Sequence, residues 1–119
     1  LTDDILEFRY MWKNKVMTDV VVNYTKNIVT FTNYGSNIFH VAFGVRDTAT
    51  IKDVNDLFEE RVFPKERRNC KQLLRDLELD YYSPFLIITK THGRMWDDYS
   101  WIKFKGEDLD YERDIKLRD

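Results

Sequence analysis

Cysteine is almost missing from this chain: Cys70 stands alone, so no disulfide can form within it. Proline occurs twice and glycine four times, each glycine isolated from the others. That spacing leaves no glycine-rich loop able to cradle a phosphate and no low-complexity linker. Long hydrophobic runs are missing too, and no stretch approaches the length of a membrane span. No signal peptide is visible, and a reducing, cytoplasmic setting is the expectation. The net charge of −2 is too small to argue for a nucleic-acid binder from the total alone.

What the chain does have is aromatic and charged surface. Its 119 residues are 43% apolar, 15% aromatic and 34% charged, enough for one compact core under a heavily solvated exterior. One domain over residues 1–119 is expected. The densest aromatic stretch follows Gly93, where Trp96, Tyr99 and Trp101 surround the carboxylates Asp97 and Asp98. Trp and Tyr bury large areas yet still need a partner for N–H or O–H. The stretch reads first as a structural pin and second as part of a binding face.

Periodicity predicts an α+β fold. Leu6, Phe8, Tyr10 and Trp12 alternate with Glu7, Arg9, Met11 and Lys13, the period of a strand with one buried face. Lys13-Asn14-Lys15 is a tight turn, with Asn14 the residue suited to positive φ. Residues 16–24 and 28–32 are rich in β-branched side chains and complete an antiparallel meander over about residues 5–33. Residues 38–45, apolar and containing His40, are expected to be a short buried strand or extended segment. Three short helices follow, over about 50–62, 65–79 and 84–92. Thr50-Ile51-Lys52-Asp53 makes a near capping box, Pro64 separates the first two helices, and Ser83-Pro84 starts the third. A strand is predicted near 100–104. The charged tail has Leu109, Tyr111, Ile115 and Leu117 as its anchors, and it docks as one more short element or frays.

The candidate chemistry is sparse. His40, His92 and Cys70 match no zinc spacing and read as structural or solvated groups. Cys70 falls on the apolar stripe of its helix, as a buried inert thiol does. Asp97 and Asp98 could hold a divalent ion, but neighbours on a strand point to opposite faces. The plainer reading has Asp98 accepting from backbone or Trp N–H groups in a turn. No metal, cofactor or catalytic residue is expected. The basic run Arg61, Lys65, Arg67, Arg68, Lys71 and Arg75 is the best functional candidate, with Arg68, Lys71 and Arg75 sharing one helix face. Glu66, Asp76 and Glu78 interleave with it, as on an ordinary solvated face. The acidic tail is diluted by Arg113, Lys116 and Arg118, which weakens a nucleic-acid-mimic reading.

Several short words resemble the N-terminal subdomain of HipA-like serine/threonine kinases, particularly the Firmicute type. They are His40-Val41-Ala42-Phe43-Gly44-Val45, Arg61-Val62-Phe63-Pro64-Lys65-Glu66-Arg67, the leucine-rich residues 73–79, and Gly93, Asp98, Trp101, Ile102 and Lys103. Ala42 stands where those proteins usually carry proline. In such kinases the nucleotide site and catalytic base lie in later domains, so the resemblance implies an accessory, antitoxin-like module and no activity. The expected function is a non-catalytic, partner-occupying regulatory protein, binding a kinase-like toxin through Trp96, Asp97 and Tyr99 with the basic ridge steering encounter. An anti-defence inhibitor from a phage or mobile element, such as an anti-CRISPR protein against a Cas nuclease, fits the same features. A small nucleic-acid-binding protein using the ridge is the third reading, and an enzyme the least supported one.

Overall fold

The computed structural model describes residues 3–34, 41–44, 46–95 and 98–116. The chain is α+β. Strands β1 (Ile5–Trp12), β2 (Lys15–Asn23) and β3 (Ile28–Asn33) form the meander, and β4 (Ser100–Phe104) joins its far side. All neighbours are antiparallel and the order is β3-β2-β1-β4. Helices α1 (Ile51–Glu60), α2 (Cys70–Asp76) and α3 (Pro84–Thr91) lie between β3 and β4 in sequence, and a single π-helical turn at Tyr111–Ile115 ends the described chain.

Alternation decides which side chains meet. Phe8 and Tyr10 of β1, Val20 and Val22 of β2 and Ile102 of β4 share one face. They pack against Val54, Leu57 and Phe58 of α1, Leu74 of α2, and Ile87 and Ile88 of α3. On the opposite face Met11 and Trp101 are covered by Tyr111 and Ile115, with Val16 and Leu109 alongside. A bulge makes this second cluster possible. Tyr10 faces Thr18 while Met11 faces Val16, so Met17 is the extra residue and Val16 turns to the side of Met11.

The caps follow the residues that can make them. Thr50 Oγ1 accepts from the Asp53 N–H, and the Asp53 carboxylate accepts from the Thr50 N–H, so the box closes with Asp in place of Glu. Ser83 accepts from the Leu86 N–H ahead of Pro84, and α3 ends with His92 and Gly93 at φ 58 and 66. The second helix is shorter than the predicted 65–79. Phe63 has no capping side chain and its carbonyl is taken by Tyr82 Oη, so the chain after Pro64 turns twice before α2 begins. At the other end Glu78 takes φ 61, and the bonds Glu78 N–H to Arg75 O and Leu79 N–H to Leu74 O close a Schellman motif without glycine. Residues 41–44 form a turn rather than the predicted strand, while Ile38, Phe39, His40 and Val45 lie outside the described residues. The Ala42 N–H donates to the buried Thr18 hydroxyl, which itself donates to Asn33 Oδ1.

The outer edge of β4 is closed group by group. Its outward amides, Ser100, Ile102 and Phe104, donate to Asp98 Oδ1, the His92 carbonyl and Glu107 Oε1 respectively. Glu107 also holds His92 Nε2 through its second oxygen, at 2.8 Å. Among the described residues no helix is long and apolar enough to cross a membrane.

Candidate partner-binding surface

Trp12 and Lys15 are register partners, so the first hairpin closes through Lys13 and Asn14 alone. The positive φ falls on Lys13, at 52°, and not on the expected Asn14. Lysine has no side-chain device to favour that conformation, so its surroundings must impose it. They do so from the far end of the chain. The Lys13 N–H donates to the Tyr99 carbonyl at 3.0 Å, and Trp101 Nε1 donates to the Lys13 carbonyl at 2.7 Å. Asn14 is occupied on both sides of its amide: it donates to Asp110 Oδ1 and accepts from the Tyr111 N–H. Trp101 itself is 0% exposed. The structural-pin reading of the aromatic stretch holds for this residue.

The clamp presents a compact surface. The Tyr99 ring meets Trp12 edge-on at 5.8 Å and Tyr111 at 6.3 Å. Lys13 Nζ lies 5.0 Å from the Trp12 ring centre and 4.7 Å from that of Tyr99. Such cation–π contacts are worth about 0.5–1 kcal/mol each at an exposed site. Tyr99 remains 36% exposed, Lys13 is exposed and Trp12 half-buried. Trp and Tyr are among the residue types that dominate binding hot spots, and here the two rings flank an exposed cation.

The other expected site residues scatter. Trp96 and Asp97 lie outside the described residues. Arg61 leaves the expected basic ridge altogether: it caps α1 at 7% exposure. Its guanidinium holds both oxygens of Asp98 and the carbonyls of Gly93 and Ser100. Asp98 also accepts from the Ser100 N–H, as the turn reading anticipated, but the Trp101 indole goes elsewhere. Burial pushes the Asp98 carboxyl upward, yet the Arg61 hydrogen bonds and charge outweigh it and hold the group below the usual carboxylate range. Lys65, Arg67 and Arg68 are exposed in the turns before α2, so Arg68 does not share a helix face with Lys71 and Arg75. Those two are exposed on α2, and Arg75 donates to Gln72. Cys70 is a half-buried free thiol. Among the described residues no three His, Cys, Asp or Glu side chains converge as a metal site.

Trp12, Lys13 and Asn14 were not singled out by their sequence pattern. The turn itself was legible, but the bonds that fix it come from residues almost ninety positions away. No protein-family model, curated protein or solved structure matches this chain.

Proposed function

We propose that this chain is a non-catalytic, cytoplasmic protein-binding module that acts by occupying a partner's surface. The observation that supports it most is Lys13: an exposed lysine held at positive φ with its ammonium across Trp12 and Tyr99. Strain at an exposed position that several distant groups enforce is a common mark of a working surface. The aromatic pair supplies area at small entropic cost, and the cation supplies direction. The resemblance to the HipA-like accessory subdomain makes a kinase-like protein the first partner to seek, with a defence nuclease the alternative.

The test is affinity capture with the tagged chain, its partner identified by mass spectrometry, repeated with two variant pairs. Lys13→Glu with Tyr99→Ser is expected to lose the captured protein, whereas Lys71→Glu with Arg75→Glu retains it. Retention by the first pair and loss by the second would move the contact to α2 and overturn this assignment of the surface.

A further inference from the structure

The C-terminal turn covers only part of the sheet face it packs on. Along the β1–β4 ladder that face carries, in succession, Lys13 with Tyr99, Met11 with Trp101, Arg9 with Lys103, and Glu7 with Lys105. Tyr111 and Ile115 sit on Met11 and Trp101. Arg9, Lys103, Glu7 and Lys105 stay uncovered and, with Asp19 and Val21 of β2, line a shallow hollow of about 380 Å³.

Arg9 and Lys103 are direct register partners, so two cations stand side by side on one face. Like charges placed opposite one another weaken a sheet. Of the two, Arg9 has an ion-pair partner and Lys103 has none among the described residues. Asp19 accepts from Arg9 Nε at 2.8 Å, and Tyr34 Oη donates to the other Asp19 oxygen at 2.7 Å. One of the five guanidinium N–H groups is thereby used, and the terminal ones are left for another acceptor. The Lys103 ammonium has no hydrogen bond or ion pair among the described residues. Tyr34 and Asp19 aim the arginine, and Lys103 stands beside it, while the other two carboxylates of the hollow, Glu7 and Glu107, are held by Lys105 at 2.7 Å and by His92 at 2.8 Å.

We propose that this hollow receives a carboxylate from an acidic segment of the partner protein, held between the Arg9 terminal nitrogens and Lys103 Nζ, with Val21 against an apolar neighbour. The proposal rests on the protein-binding reading above and names the chemistry of that partner. A nucleic-acid backbone fits less well: one carboxylate can rest on Arg9 and Lys103 alone, whereas a continuous row of phosphates would run onto Glu7, Asp19 and Glu107 of the same hollow.

The experiment uses the full chain with two fluorescent probes, a peptide of alternating Glu and Leu and an oligo-dT of matching charge. The peptide is expected to bind in a salt-sensitive manner, and Lys103→Glu and Arg9→Gln each to weaken it about tenfold or more. Lys103→Glu also gives Arg9 an opposite charge across the ladder, so its melting temperature is expected to rise by about 2 °C. Gain of stability with loss of binding is the signature sought. Peptide binding unchanged in Lys103→Glu, no peptide binding by the parent chain, or equal binding of oligo-dT each overturns the proposal. If the partner is still captured by Lys103→Glu and lost with the Lys13 and Tyr99 variant, this site falls and the protein-binding reading stands. If both variants capture it undiminished, both fall.

Discussion

The guanidinium of Arg61 meets the carboxylate of Asp98 in a two-pronged contact, with bonds of 2.7 and 2.8 Å. The pair ties the end of α1 to the segment entering β4, and the same guanidinium donates to the carbonyls of Gly93 and Ser100. Removing it takes a donor from both carbonyls, whose bonds to Arg61 are buried. With the Asp98 side chain 38% exposed and open to water, Arg61→Ala is expected to cost about 2–4 kcal/mol in urea unfolding. Arg61→Lys, which keeps the charge and loses the fork, is expected to cost about 1–3 kcal/mol. An unfolding midpoint unchanged in the lysine variant would show that charge alone suffices. Gly93 belongs to this joint: a Cβ there would lie 3.1 Å from the Arg61 Cβ, at φ +66. Gly93→Ala is expected to cost about 1–2 kcal/mol.

Acid should loosen the fold through a small set of carboxylates. Hydrogen bonds from Thr50 hold Asp53 low, and the Arg113 side chain holds Asp114 low. In Asp98 burial acts the other way and is overcome by Arg61. A carboxylate whose folded pKa is depressed contributes stability that is fully present above its unfolded value, near 3.9, and is lost as pH falls through the folded value. Thermal melts are thus expected to be flat from about pH 5 upward and to drop below about pH 4. Asp98→Asn should start from a lower melting temperature at neutral pH and lose less on acidification. A variant whose acid response matches the parent would remove Asp98 from the set.

Lys13 separates stability from use. Glycine accepts positive φ without the Cβ penalty, so Lys13→Gly should leave the hairpin intact, the relieved strain of about 1–2 kcal/mol being offset by the lost cation–π contacts and the added chain entropy. It also deletes the ammonium over Trp12 and Tyr99. The expected result is an unfolding midpoint close to the parent's with weaker partner capture. A less stable glycine variant would mean that the aromatic contacts outweigh the backbone strain.

Asn14 supplies two of the polar contacts that hold the docked C-terminal turn, and Arg94 adds another to the Asp114 carbonyl. Asn14→Ala is expected to cost about 1–2 kcal/mol and to speed protease cleavage after residue 105 more than elsewhere. Trp101→Phe removes the indole bond to the Lys13 carbonyl and leaves a void, for about 1–3 kcal/mol. Cleavage rates identical to the parent in both variants would show that Tyr111 and Ile115 hold the turn unaided.

The sheet was legible where one rule decided it. Alternation from Leu6 to Trp12 marked β1, and Thr50 with Asp53 and Ser83 with Pro84 marked two helix starts. What stayed hidden depends on meetings between distant residues. Arg61 looks like any surface cation until α1 and the chain entering β4 close around it. The bulge at Met17 shifts Val16 to the other face, which no local pattern announces. Lys13 takes the strained conformation because Tyr99 and Trp101 hold both its main-chain groups, while Asn14, the better local candidate, serves Asp110 and Tyr111 instead.

The closed margin of β4 also limits how copies of this chain could grow into larger bodies. With the Ser100, Ile102 and Phe104 amides already occupied, a foreign strand finds no donors there. Strand addition is left to β3, where the Val29–Ala49 bridge already takes part of the margin, and two β3 margins joined to each other leave nothing for a third copy. Misassembly of the folded chain by this route terminates at pairs, so concentrating it below its melting temperature should yield dimers rather than open-ended strings of sheets.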